Sequence, residues 1–164
     1  MAEELLKGLN KVDKIINNFT AQFGITARFD AEFQAFCDDR IIGYSLLALS
    51  DGGGQFIEDA IKRYPQINAD IFLWALMHEI GHCMTEDMWT EEEKNYFWEQ
   101  KEMMENAEDI DWDDLNAWYH VCPDEFFATR WAGEYMVAHQ GQIRRFWRRL
   151  QKALLEMYKI NGLI

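Results

Sequence analysis

Proline and paired cysteine are scarce in this chain, a cationic surplus is absent, and no apolar run is long. Only two prolines occur in 164 residues. No Ser/Gly-rich linker separates two halves, and no segment recurs at a period of about 20 to 50 residues, so residues 1–164 are expected to form one domain. Three cysteines, Cys37, Cys83 and Cys122, make neither a CxxC pair nor an even set. That pattern excludes a disulfide scaffold and suits buried thiols in a reducing cytosol. The longest uninterrupted hydrophobic run, Ile71 to Met77, is far short of the roughly 20 residues that span a bilayer, and the charged start "MAEELLKGLNKVDKIINNF" lacks a secretory apolar core. A soluble, cytoplasmic protein with no membrane partner is expected. The net charge of −13 argues against a nucleic-acid partner, because phosphate contacts reward cationic surface.

What is present is apolar and acidic material in unequal distribution. The chain is 49% hydrophobic and 15% aromatic, enough for a core that buries roughly two thirds of its unfolded surface. Between Thr85 and Asp114 stand thirteen acids against Lys94 and Lys101. Such a run reads first as solvated helix surface and second as an acidic border that favours cationic peptides. Its aromatics Trp89, Phe97, Trp98 and Trp112 could pack it down as a lid or serve as core. Near the end, "RRFWRR" gathers Arg144, Arg145, Arg148 and Arg149 around Phe146 and Trp147. Pairing with the protein's own acidic surface is the expected use of these arginines, ahead of base stacking.

Periodicity supplies the elements. Leu5, Leu6, Leu9, Val12, Ile15, Ile16, Phe19 and Phe23 recur at three and four, predicting an amphipathic helix over 3–23 that Gly24 closes. "ITARF", "AEFQAFC" and "RIIGYSLLALS" read as three strands of a small antiparallel sheet. "SDGGG", which lacks the GK[ST] ending of a phosphate loop, reads as a flexible connection. Asn68 or Asp70 could cap a helix running through Met84. Further helices are predicted over 91–105, 123–138 and 142–160, with Pro123 placed for a first turn. The expected class is α+β, a small antiparallel sheet packed on a helix-rich domain.

Within the most apolar of these helices lies "ALMHEIGHCM". His78 and His82 are four residues apart, about 400° of helical rotation, so both imidazoles share one face one turn apart. Glu79 is rotated by roughly 100° and can lean over a water held by the same ion. In this HExxH arrangement zinc acidifies a water and the glutamate takes its proton. Ile71, Phe72, Leu73, Trp74, Leu76, Met77 and Ile80 surround these polar groups, and unpaired they would carry a desolvation cost of several kcal/mol that a metal offsets. Gly81 costs about 1 kcal/mol relative to alanine inside a helix and marks a place where another backbone approaches.

A third protein ligand is needed. The extended HExxHxxGxxH motif is excluded by Thr85 and Met88. Downstream, "PDEFFATRWAGEY" offers Glu125, with Ala128, Thr129 and Ala132 on its own helical face. The two alanines would let this helix lie close to the histidine helix, and Thr129 could hydrogen-bond a ligand. His120 and Asp124 are alternatives to Glu125. His120, Tyr135 and His139 are candidates for an oxyanion donor, His139 first because it is near the Glu125 face.

"HEIGH" followed some forty residues on by "EFFATRWA" resembles the gluzincin peptidases, especially the minigluzincins and CAAX-type peptidases, in which a helix patterned E-F-x-A-D-x-x-A follows HExxH. Glu125, Phe126, Ala128 and Ala132 match that second block, and Thr129 stands where the family has aspartate. A similar layout occurs in ImmA-type regulatory proteases. The resemblance implies a zincin-like fold with HExxH on a central helix. It also implies zinc held by His78, His82 and Glu125, with Glu79 as general base and later proton donor in peptide-bond hydrolysis. Part of "DRIIGYSLLALS" would then offer a strand edge to a peptide or protein substrate.

Overall fold

The computed structural model describes residues 7–46, 51–67, 69–107, 111, 113–114, 117–118 and 122–162, with side chains left undescribed over 51–56 and at 105. Helix α1 spans Leu9–Thr20 and buries Leu9, Val12, Ile16 and Phe19, the stripe its periodicity marked. It begins later than the pattern suggested. Gly8 adopts φ +99°, a left-handed conformation outside any helix, and a Cβ there would lie 3.2 Å from Met157 Cβ, so the chain enters α1 by passing closely over the last helix. Residues 3–6 lie outside the described residues. At the other end a short 3-10 turn, Ala21–Phe23, closes at Gly24 with φ +68°.

Three short strands follow, β1 (Thr26–Phe29), β2 (Gln34–Phe36) and β3 (Ile41–Tyr44). The sheet is mixed rather than antiparallel. Its order is β1-β3-β2, with β1 parallel to β3 and β2 antiparallel to it. The link after β1 therefore crosses the middle strand before β2 begins. The crossing passes closely over Gly43, where a Cβ would sit 3.1 Å from Asp30 Cβ and 3.3 Å from the Glu32 carbonyl oxygen. Strand β3 stops at Tyr44, short of the predicted run through Ser50, whose last four residues lie outside the described residues. Asn17 ties the sheet to α1, donating to the Ala27 carbonyl at 2.8 Å and accepting from the Ala27 amide at 2.9 Å.

Helix α2 (Asp51–Arg63) runs through the glycines of the predicted flexible connection. Each glycine costs a helix about 1 kcal/mol relative to alanine, and burial of Ile57 and Ala60 in the core offsets part of that. Helix α3 (Ile71–Thr85) is capped by Asp70, whose side chain accepts from the Phe72 amide. Its residues from Leu73 to Gly81 are all buried, as expected of a helix apolar on every face. It packs against α2, the sheet and the helix Pro123–Ala138.

The remaining helices are α4 (Glu91–Glu105), α5 (Pro123–Ala138) and α6 (Gln140–Ile160). A capping box opens α4, with Thr90 accepting from the Glu93 amide and Glu93 accepting from the Thr90 amide. Helix α6 lies along α1, where Phe19 and Phe146 stack at 4.0 Å and Lys11 pairs with Glu156. The result is a mostly helical α+β architecture. No helix among the described residues is long and apolar enough to cross a membrane.

Candidate metal centre

The close approach of α3 and α5 rests on small residues. An alanine Cβ at Gly81 would lie 2.4 Å from the Ala128 carbonyl oxygen, so backbone rather than side chain forms the contact. Ala128 and Ala132 are fully buried beside it. On its far flank α5 presents Gly133 to Tyr64, again with no room for a Cβ. With Pro123 starting the helix, Glu125 falls in the first turn, where the helix dipole favours a carboxylate. Its side chain lies directly across from the α3 histidines.

His78 Nε2 is 2.8 Å from Glu125 Oε2 and 3.0 Å from His82 Nε2, and His82 Nε2 is 3.5 Å from Glu125 Oε2. All three residues are nearly enclosed, with side-chain exposures of 7% for His78 and 11% for His82 and Glu125. No single proton arrangement satisfies the three contacts, because His78 Nε2 cannot donate to Glu125 and accept from His82 at once. Lone pairs converging on one cation satisfy all of them. Nitrogen and oxygen donors arranged tetrahedrally about 2.0–2.2 Å from one ion stand about 3.3–3.6 Å apart, a spacing that His82 and Glu125 already have at 3.5 Å and that the other two pairs, at 2.8 and 3.0 Å, reach by a small outward shift. His78, His82 and Glu125 form a buried group that could bind a metal ion.

The atoms of these residues that face away from the group also have partners. His78 Nδ1 shares a 3.1 Å hydrogen bond with Thr129 Oγ1, the contact that helical spacing anticipated. His82 Nδ1–H donates to Asp124 Oδ1 at 2.9 Å. Asp124 thus occupies the outer nitrogen of His82 and supports the group rather than replacing Glu125. His120 lies outside the described residues.

Charge within the cluster is strongly coupled. Burial opposes protonation of His82, but Glu125 and Asp124 together outweigh it and hold its pKa well above the usual value. Burial likewise opposes the Glu125 carboxylate, yet the charge on His82 and the hydrogen bond from His78 hold its pKa well below the usual range. Glu79 is different. Burial raises its pKa, with the nearby histidines offsetting only part of the effect.

Two predicted oxyanion donors are elsewhere. Tyr135 hydroxyl stands 3.2 Å from the side-chain oxygens of both Gln22 and Gln142, either of which can accept its one proton, and His139 is exposed at the end of α5, stacked on Tyr135 with its Nδ1 against the Tyr135 carbonyl. Fourteen residues of helix return His139 near the Glu125 face, as the spacing suggested, but about 21 Å along the axis. Shared face is not shared site.

Lys101 was not among the candidates read from sequence, and it reaches the centre. Its Nζ is 4.0 Å from Glu125 Oε1. The signal lay in α4 itself, where Lys94, Phe97, Lys101 and Met104 recur at three and four and form the half-buried stripe of an otherwise acidic, exposed helix. Cys37 and Cys83 form a second unforeseen contact. Cys37 is half-buried, and the hydrogen bond between the two thiols lowers the pKa of Cys83 and raises that of Cys37.

The charged stretches also sort out. Glu91, Glu92, Glu93, Glu99 and Glu102 are exposed, as solvated helix surface should be. Trp89 contacts Phe97 and Phe127 as packing, whereas Trp98 is 61% exposed, and Trp112 lies outside the described residues. Arg144, Arg145, Arg148 and Arg149 are exposed on the outer face of α6, and none takes part in an ion pair within 4.0 Å among the described residues. Their expected pairing with the protein's own acids is not found. No protein-family model, curated protein or solved structure matches the chain.

Proposed function

We propose that the chain is a cytoplasmic zinc-dependent peptidase of gluzincin type, acting on a peptide or protein substrate. The observation that carries this reading is the convergence of His78 Nε2, His82 Nε2 and Glu125 Oε2 beside a buried Glu79. Two imidazoles and one carboxylate are a donor set suited to Zn2+, and a site with three protein donors leaves a position for water or substrate. Bound there, zinc supplies a Lewis acid that acidifies water and polarises a scissile carbonyl.

The chain's own residues supply the rest. Thr129 and Asp124 fix the outer nitrogens of His78 and His82, which turns both Nε2 atoms inward. Glu79 accepts a proton from the attacking water and passes it to the leaving amine. Its raised pKa suits both halves of that transfer, since a group poised nearer neutrality can give back what it takes. Strand β3 is paired on both sides and cannot offer an edge to substrate; of the two edge strands, β1 packs on α1 and β2 on the histidine helix α3, so that role passes to β2. The acidic face of α4 favours cationic peptides. Free thiols at Cys37, Cys83 and Cys122 suit a reducing compartment.

A second reading is a noncatalytic, metal-stapled interaction module. It is favoured by the same outward hydrogen bonds, which would serve a structural ion equally well. Replacing Glu79 with glutamine separates the two readings. The peptidase keeps its zinc and loses hydrolysis of a mixed peptide library; a variant that still cleaves refutes the assigned base, and a parent that binds zinc but cleaves nothing supports the module.

A further inference from the structure

Each donor residue of the centre presents one atom inward and one outward, and Glu125 follows the pattern of the two histidines. Its Oε2 faces His78 and His82, while Oε1 faces Lys101 Nζ at 4.0 Å. The outward partners of His78 and His82, Thr129 and Asp124, come from α5 itself. Lys101 comes from α4, a separate and strongly acidic helix.

Helix α4 is anchored through aromatic packing on the helix that carries Glu125. Phe97 meets Trp89, which in turn packs edge-on against Phe127 of α5. Trp98 lies beneath the ammonium at 5.3 Å, a cation–π contact that steadies a lysine without neutralising it. The Lys101 side chain is 26% exposed against 11% for Glu125, so the pair stands at the mouth of the buried group rather than on open surface. Screening by water is correspondingly reduced there.

We propose that Lys101 is a positioning residue of the metal centre, engaging Oε1 of Glu125 so that this carboxylate offers the ion a single oxygen. An Oε1 released from Lys101 is free to swing inward as a second donor, filling the position that a catalytic centre keeps for water or substrate. Helix α4 is thereby part of the centre and not only its acidic cover. This inference rests on the metal half of the proposed function and is independent of peptide hydrolysis.

Cobalt(II) tests it, because its visible absorption reports coordination as well as occupancy. The parent chain, Lys101→Met, Lys101→Arg and a control, Lys94→Met, are titrated with Co2+ under identical conditions. Removing an outer partner of a metal ligand costs about tenfold to a hundredfold in affinity. Lys101→Met is expected to lose that much and to show an altered spectrum, Lys101→Arg to recover most of both, and Lys94→Met, which breaks an ion pair on the same helix, to leave both unchanged. A Lys101→Met chain that matches the parent in affinity and spectrum overturns the inference. Equal losses in Lys94→Met overturn it too, by showing that only the seating of α4 matters. A parent that binds no Co2+ removes the metal centre and this inference together, whereas one that binds Co2+ but cleaves no peptide leaves the inference standing.

Discussion

Replacing Gly81 with alanine sets two effects of opposite sign against each other. In an isolated helix the change would stabilise by about 1 kcal/mol, since alanine loses less backbone entropy than glycine. In this structure the added Cβ would come to 2.4 Å from the Ala128 carbonyl oxygen and 2.9 Å from Ala128 Cα, about 1 Å inside an ordinary contact of 3.4 Å. The obstacle is the backbone of α5, which cannot rotate away as a side chain can. Helix α5 must therefore move off α3 by about 1 Å, and overpacking of this kind costs about 1–3 kcal/mol. The steric cost meets or exceeds the propensity gain, so the metal-free variant is expected to be less stable by about 0–2 kcal/mol. The effect on metal is sharper. Glu125 rides on the displaced helix, and its 2.8 Å contact with His78 opens with it. A loss of zinc affinity of at least about tenfold is expected, the lower bound for loosening a ligand's support. Urea unfolding with and without zinc, beside a direct binding titration, measures both quantities. A variant about 1 kcal/mol more stable than the parent, with parental zinc affinity, would refute the backbone contact and the helix spacing derived from it.

The remaining expectations concern protons and the far end of α5. In the metal-free chain the raised pKa of His82 gives stability that is complete below its unfolded value of 6.5 and fades as pH rises through the folded value. The lowered pKa of Glu125 gives stability that is complete above its unfolded value of 4.5 and fades as pH falls through the folded value. Glu79, raised by burial, penalises the fold once pH passes 4.5. The urea midpoint of the metal-free chain should therefore be highest between pH 4.5 and 6.5 and decline toward pH 8; a midpoint that climbs steadily to pH 8 contradicts the coupling of His82 to Glu125. Zinc should reverse the trend, because it competes with protons for His78, His82 and Glu125 and stabilises more as pH rises. His139→Ala and Tyr135→Phe should leave zinc content and kcat/KM within about twofold of the parent, as residues placed away from the centre do; a hundredfold loss of kcat/KM in either would restore it as a donor.

The parts of the fold that could be read from sequence are those fixed by local chemistry. Asp70 and Pro123 mark where two helices start, and the observed helices start at those signals. The centre was legible for a related reason. Helical spacing alone puts His78 and His82 on one face, and Ala128, Thr129 and Ala132 on the face of Glu125, while Gly81 announces the backbone that meets it. What remained hidden depends on position in space. Alternation in "ITARF" and "AEFQAFC" marks strands but not their neighbours, and the insertion of β3 between β1 and β2 brings a close passage over Gly43. The helix that begins at Asp51 and runs through the three glycines forms against local propensity, with Ile57 and Ala60 buried in the core. Lys101 was obscured by the acids around it, which read first as solvated surface, while its ammonium reaches Glu125. His139 illustrates the opposite error, a periodic match without regard to axial rise.

The proposed metal centre depends above all on Glu125 closing a three-residue group with His78 and His82. Zinc bound per chain, measured on the purified parent and on Glu125→Ala at matched protein concentration with circular dichroism as the fold control, tests that most directly. One zinc per parent chain is expected, with affinity falling by more than about a hundredfold in a variant of unchanged helicity, since losing a ligand outright should exceed the loss of an outer partner. A folded Glu125→Ala chain that holds zinc as tightly as the parent would contradict it.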